Sequence, residues 1–211
     1  MTGVQTCALP ICFPVTIPYE KEQRLAQDKA AKKAAWIMHN CVKSTHPYLV
    51  KKGFPIEQVW VWNGLAVVPM RANGKLFGCQ LISEDGTKKF LSGQRTKGVT
   101  AIFDNKGIPI LCEGYATAMS IRRALKAVKA RYKIIVCFSA GNILEVAKEY
   151  RDGIVVADND STGIRVAKAT GLPYWVSDVD GEDFNDAELR MGADSAGKSL
   201  LELIRNWRGE D

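Results

Sequence analysis

Two apolar runs in this chain end in acid. Ile108-Pro-Ile-Leu-Cys112 leads into Glu113-Gly-Tyr115, and Gly153-Ile-Val-Val-Ala157 leads into Asp158-Asn-Asp160. Carboxylates at the ends of buried strands lie beside low-dielectric core, and like charges gathered there repel, so they are costly unless a positive charge offsets them. Mg²⁺ suits that role, because it takes oxygen ligands from one or two protein carboxylates and leaves its other positions to water and substrate phosphate. Glu113, Asp158 and Asp160 therefore point to metal-dependent phosphoryl or nucleotidyl chemistry. Asp158 and Asp160 are two residues apart, which puts both side chains on one face if strand geometry persists. A turn or capping role is the competing reading of such a pair.

A second acidic group, Asp183-Phe-Asn-Asp186, opens a helix with residues suited to the N-cap and N3 positions. Capping and a further metal contact are compatible there. Gly192-Ala-Asp-Ser-Ala-Gly-Lys-Ser199 matches the G-x₄-G-K-[ST] phosphate-loop pattern, but it follows a helical stretch instead of a strand, so Lys198 is read as a solvated helix lysine. His39 and His46 have no Cys or carboxylate partner at a useful spacing. The six cysteines form no C-x₂-C pair, and they are read as reduced and structural.

The elements that must hold the acids follow from periodicity. Residues 19 to 41 are rich in Ala, Lys, Glu and Gln with apolar residues near helical spacing, which predicts one amphipathic helix. A short turn-helix element follows at 44 to 53. From Val59 to Phe103, short β-rich runs are separated by Asn63-Gly64, Asn73-Gly74 and Asp85-Gly86, which predicts a small antiparallel sheet. From Ile108 onward strands and helices alternate. Strands are predicted at 108 to 112, 133 to 138, 153 to 157 and 174 to 177, and helices near 115–130, 142–150, 162–170, 184–191 and 196–207. This pattern predicts an α/β fold: a parallel sheet flanked by helices, with its crevice at the carboxyl ends of the strands.

Composition supports a globular protein, with 46% hydrophobic and 25% charged residues. No stretch approaches the roughly 18 to 20 apolar residues of a membrane-spanning helix, so no membrane partner is expected and a cytoplasmic location is the default. The net charge of +6 is unevenly spread. Residues 12 to 109 carry 15 Lys/Arg against 7 Asp/Glu, whereas residues 110 to 211 carry 14 against 16. The first half suits a polyanion and the second holds the candidate metal site. Residues 1–11 resemble the translation of a sequencing-library adapter and are set apart from the fold, together with Cys7 and, by proximity, Cys12. The natural N-terminal part is expected to lie upstream.

Taken in order, Glu113-Gly-Tyr115, Ser139-Ala-Gly-Asn142, Asp158-Asn-Asp160 and Asp183-Phe-Asn-Asp186 resemble the Toprim domain of primases, topoisomerases and related nucleases. Val68-Pro-Met-Arg-Ala-Asn-Gly-Lys-Leu-Phe-Gly78 with Lys88-Lys-Phe-Leu-Ser92 resembles the basic subdomain that precedes Toprim in bacterial-type primases. His46-Pro-Tyr-Leu49 with Lys52-Gly53 resembles phage and plasmid primase-helicases. The resemblance divides the chain into a helical N-terminal segment (12–57), a basic β-rich subdomain (58–107) and a Toprim-like domain (108–208).

It implies that Glu113, Asp158 and Asp160 are catalytic and hold Mg²⁺ or Mn²⁺, with Asp183 and Asp186 as further metal ligands. It also implies that Arg71, Lys88, Lys89, Arg95 and Lys97 bind nucleic acid or nucleotide. The activity implied is primer synthesis from ribonucleoside triphosphates on single-stranded DNA, with a replicative helicase as a fused or separate partner. No zinc is expected, because the zinc module of such primases has no counterpart in this chain. A Toprim nuclease and a non-catalytic nucleic-acid-binding fragment are the alternatives.

Overall fold

The computed structural model describes residues 19–209. Residues 1–11, Cys7 and Cys12 lie outside that range.

The described chain builds two sheets. The first is an antiparallel meander of β1 (Val42–Ser44), β2 (Val59–Trp62), β3 (Leu65–Ala72), β4 (Lys75–Ile82) and β5 (Lys88–Phe90), in sequence order. Its β2–β3 and β3–β4 hairpins turn at Asn63-Gly64 and Asn73-Gly74, where both residues take positive φ (47° and 71°, 48° and 77°). These are the two-residue turns whose twist matches the flanking strands, and Asn-Gly is the pair that adopts them at least cost. The third turn is braced differently: Asp85 accepts hydrogen bonds from the Ser83 hydroxyl and from the N–H and hydroxyl of Thr87. Those donors hold its carboxyl down to about 2.

Helix α1 (Tyr19–His39) lies across the outer face of this sheet. Ala30, Ala34 and Ile37 are spaced to share one helical face and are buried with Val67, Cys79 and Leu91. Helix α2 (Pro47–Lys51) is capped by His46, whose Nδ1 accepts from the Tyr48 N–H while Nε2 bonds the Gly64 carbonyl. The histidine thus closes a structural turn.

The second sheet has the order β10-β9-β7-β8-β6. β7 (Pro109–Cys112), β8 (Lys133–Val136), β9 (Ile154–Val156) and β10 (Tyr174–Trp175) are parallel, and β6 (Ala101–Asp104) is an antiparallel edge strand on β8. β6 falls within the 58–107 segment of the sequence reading, yet its hydrogen bonds belong to this sheet. Helix α3 (Tyr115–Ala127) packs on one face with α6 (Phe184–Met191) and α7 (Ala193–Arg208), and α4 (Ala140–Val146) and α5 (Ser161–Thr170) pack on the other. Alternate strand residues serve the two layers: Ile110, Cys112, Ile134 and Val136 face α3, while Leu111, Ile135 and Cys137 face α4 and α5.

The α3 layer is continuous with the inner face of the first sheet through Ala66, Val68, Met70 and Ile82. Arg123 of α3 ties in the N-terminal segment, because its guanidinium pairs with buried Glu188, bonds the Gly53 carbonyl and stacks over Phe54. The phosphate-loop look-alike is helical: Gly192 caps α6 and opens α7, Lys198 pairs with Asp194, and Ser199 accepts from the Trp175 indole.

Candidate metal centre

Strand order places the acids. The chain leaves β7 through α3 to β8 on one side, then returns through α4 to β9 on the other side of β7. This reversal opens a crevice at the carboxyl ends of the strands. Glu113 follows β7 directly, and Asp158 and Asp160 follow β9. All three border one small cavity of about 30 Å³, roughly the volume of a single water.

The local backbone explains this closeness. Asp160 is the N-cap of α5 and accepts the Gly163 N–H at 2.6 Å. A Cβ on residue 163 would stand 2.4 Å from the Asp158 carbonyl oxygen, so only glycine lets the helix start this near the strand. Asn159 ties the acidic loop to the 177–182 segment. Its N–H donates to the Glu182 carbonyl, its own carbonyl accepts from Gly181, and its side-chain amide donates to the carbonyls of Ser177 and Val179. Arg190 of α6 holds the same segment through Asp178 and Glu182.

Electrostatics register the crowding. Burial pushes the Asp158 carboxyl up to about 6, with Asp183, Glu113 and Asp160 adding to the rise and Lys88 opposing it. Glu113 is raised chiefly by burial, with Lys88 opposing and Asp160 adding. Asp183 uses Oδ1 to cap α6 and turns Oδ2 toward Lys52 Nζ at 3.6 Å. Asp186 completes a capping box by accepting from the Asp183 N–H. Asp183 is thus both a cap and a neighbour of Asp158, whereas the Asp186 carboxylate is engaged in the cap.

Among the described residues, no three acidic, Cys or His side chains converge into a ready-made ion cage. The donor set nevertheless fits Mg²⁺ or Mn²⁺, which need only one or two of these carboxylates when water and phosphate complete the shell. Glu113, Asp158 and Asp160 crowded around one cavity, their charge only partly offset by Lys88, are the physical observation behind that fit.

The basic residues separate into groups. Lys88 of β5 reaches the acids, its Nζ lying 3.8 Å from where a Cβ on Gly114 would stand. Lys89, the next residue, projects from the opposite face of the strand and is exposed. Lys97 pairs with Glu145 at 3.6 Å. Arg71 and Arg95 border a different cavity, which shares no lining residue with the acidic one.

Three further residues position the site, and of these Phe138 alone lies outside the motifs quoted above. Phe138 has φ of +67°, donates its N–H to the Glu113 carbonyl and sets its ring edge-on to Phe90 of β5. That backbone conformation costs roughly 1–2 kcal/mol in a non-glycine residue. Asn142 is buried and sews the 98–99 segment to the end of β8: it accepts from Gly98 N–H and donates to the carbonyls of Val99 and Cys137. Asn159, described above, is the third.

Scanned against known protein families, the sequence matches none. Solved structures share the architecture. One holds bacteriophage T7 lagging-strand DNA polymerase interacting with primase domains of two gp4 subunits bound to an RNA/DNA hybrid and dTTP; the match has 16% identity over 78% of this chain and 92% of that one, with a TM-score of 0.52. A second is the primase fragment of the bacteriophage T7 primase-helicase protein, with 18% identity over 75% and 69% of the two chains and a TM-score of 0.50. The chain has a primase fold. Within that fold the acidic crevice lies at the strand reversal of the second sheet, and the meander of the first sheet brings Lys88 over it.

Proposed function

We propose that this chain is the catalytic core of a DNA primase, which extends short RNA primers on single-stranded DNA from ribonucleoside triphosphates. The observation that carries the reading is the convergence of Glu113, Asp158 and Asp160 on one cavity at the strand reversal, with Lys88 Nζ 3.8 Å from where a Cβ on the neighbouring Gly114 would stand. The fold supports it, as do its T7 neighbours, primase domains bound to an RNA/DNA hybrid and dTTP and the primase fragment of a primase-helicase.

In this reading Glu113, Asp158 and Asp160 hold Mg²⁺ or Mn²⁺. When bound, the ion supplies activation of the primer 3′-hydroxyl and charge neutralisation at the leaving pyrophosphate. The 3′-oxygen bonds the α-phosphorus, the bond to pyrophosphate breaks, and the hydroxyl proton passes to solvent. Lys88 meets the triphosphate charge from the side opposite the acids. Lys89 and Lys97 bind backbone phosphates without regard to sequence. Asp183 adds negative charge at the crevice while capping α6. A replicative helicase, fused or separate, is the natural partner, and the setting is cytoplasmic.

The test is extension of an end-labelled RNA primer annealed to DNA, with ribonucleotides and Mg²⁺ or Mn²⁺. A metal-dependent longer product supports the primase reading. A shortened primer favours Toprim-type nuclease chemistry, and an unchanged one favours a binding-only fragment. Persistence of extension in the Asp158→Ala/Asp160→Ala double variant would overturn the metal site.

A further inference from the structure

Asp183 stands apart from the other acids of the crevice. It does not border the small cavity that Glu113, Asp158 and Asp160 share. Burial leads the rise of the Asp158 carboxyl, yet Asp183 comes first among the charges behind it, ahead of Glu113 and Asp160. The carboxylate is therefore close to the centre with both oxygens engaged elsewhere: Oδ1 accepts the Asp186 N–H, and Oδ2 faces Lys52 Nζ at 3.6 Å.

The segment before the first hairpin brings Lys52 to that carboxylate. Helix α2 ends at Lys52, whose N–H bonds the Tyr48 and Leu49 carbonyls. Gly53 follows with φ of +82°, and a Cβ there would stand 2.7 Å from Leu189 of α6, so glycine lets the chain turn this close to the helix. Arg123 bonds the Gly53 carbonyl at 2.7 Å. Asn185, fully buried and two residues after Asp183, donates through Nδ2 to the Lys52 carbonyl at 3.0 Å and to Ser120 Oγ at 2.8 Å. Its Oδ1 finds no partner among the described residues. A buried orphan acceptor costs stability, and the two bonds made by Nδ2 are what offset it. Helix α6 thus grips Lys52 twice, by the backbone through Asn185 and by the side chain through Asp183.

We propose that Lys52 is a positioning residue of the metal centre: it is the resident cation of Asp183, gives up that carboxylate when a divalent ion occupies the crevice, and in doing so loosens the 52–54 turn from α6. Asn185 fixes Lys52 for this exchange. A single ammonium in a partly exposed pair is weakly held, so a divalent charge can replace it. The proposal rests on the metal reading of the crevice.

The experiment is calorimetric titration of the metal-free full chain with Mg²⁺, beside amide exchange with and without the ion. Lys52→Met is expected to tighten Mg²⁺ binding about two- to fivefold, the scale of the ion pair removed. Misfolding cannot produce such a gain. Lys52→Arg, which keeps the pair, should leave affinity at the wild-type value. Asn185→Ala leaves every charge in place, so a bare field effect predicts no change, whereas loss of the grip on Lys52 should tighten Mg²⁺ in the same direction. In the wild type Mg²⁺ should speed exchange at the Lys52, Gly53 and Phe54 amides, which are hydrogen-bonded in the ion-free protein. Asp183→Asn should abolish that response. Unaltered affinity in Lys52→Met, or exchange at 52–54 indifferent to the ion, overturns the proposal. Asp158→Asn separates the two readings. If it removes Mg²⁺ binding while 52–54 ignores the ion in the wild type, only the Lys52 exchange fails; if it leaves binding intact, or the wild type binds none, the metal reading fails and the proposal with it.

Discussion

Lys88 of the meander ends beside Gly114, the residue after Glu113, its Nζ 3.8 Å from where a Cβ there would stand, so the basic meander contributes a cation next to an acidic site built by the other half of the chain. Lys88→Ala should leave the fold intact, since residue 88 is exposed. It should lower kcat/KM for nucleotide addition by about tenfold or more, the scale of a lost charge-assisted contact. Steady-state primer extension beside a thermal melt checks this, and an unaltered kcat/KM would remove Lys88 from the site.

Asp158 makes stability and activity pull in opposite directions. Its carboxyl is raised from 3.8 to about 6 in the folded protein. Between about pH 4 and pH 6 the folded state therefore binds more protons here than the unfolded chain, so stability falls as pH rises through that window and stays lowered above it. Asp158→Asn should accordingly stabilise the metal-free protein at pH 8 by about 1–2 kcal/mol, after allowance for solvent reaching a partly open site. It should do little at pH 4 and abolish extension. Thermal melts at the two pH values decide this; equal shifts at both would contradict the charge argument.

Protons and metal compete for the same oxygens. Mg²⁺ affinity, followed by the rise in Tm on adding the ion, should increase steeply as pH climbs past about 6, where Asp158 ionises. The Asp158→Asn variant should lose most of that ion-dependent rise. A pH-independent Tm response would place the ion elsewhere.

Asn142 should matter far more than its position in a short helix suggests. Removing its amide strands the Gly98 N–H and the Val99 and Cys137 carbonyls at a buried junction. Asn142→Ala should cost about 2–4 kcal/mol. Urea unfolding would show it as a lower midpoint with unchanged m-value.

Arg190→Ala should loosen the segment beside Asp183 without unfolding the protein. Faster amide exchange at Gly181 and Val179, with no change at strand residues such as Val155, is the expected pattern. Uniform acceleration would instead mean global destabilisation.

Much of this arrangement was legible in the residues. Asn63-Gly64 and Asn73-Gly74 announce hairpins because few other pairs accept two positive φ values. Glu113, Asp158 and Asp160 are legible because an apolar run ending in acid marks the carboxyl end of a parallel strand. What escaped is non-local. Val42–Ser44 is a strand only because β2 lies beside it, and three residues carry no period. Ala101–Asp104 alternates like the meander that precedes it, and only its pairing with β8, some thirty residues on, assigns it to the second sheet. Asn142 and Asn159 lie within quoted motifs and Phe138 does not, but the roles of all three escaped, because they consist of contacts made after the chain has closed on itself.

The position of β6 has a consequence for modularity. The strand that leaves the meander is stitched into the far edge of the other sheet, and Thr100 still bonds back to Arg71. A cut between the two sheets therefore exposes a raw edge on one and leaves the other with a dangling strand. The halves should melt as a single cooperative unit, and a chimaera that exchanges the acidic half for that of a distant relative must carry residues 99–104 with it.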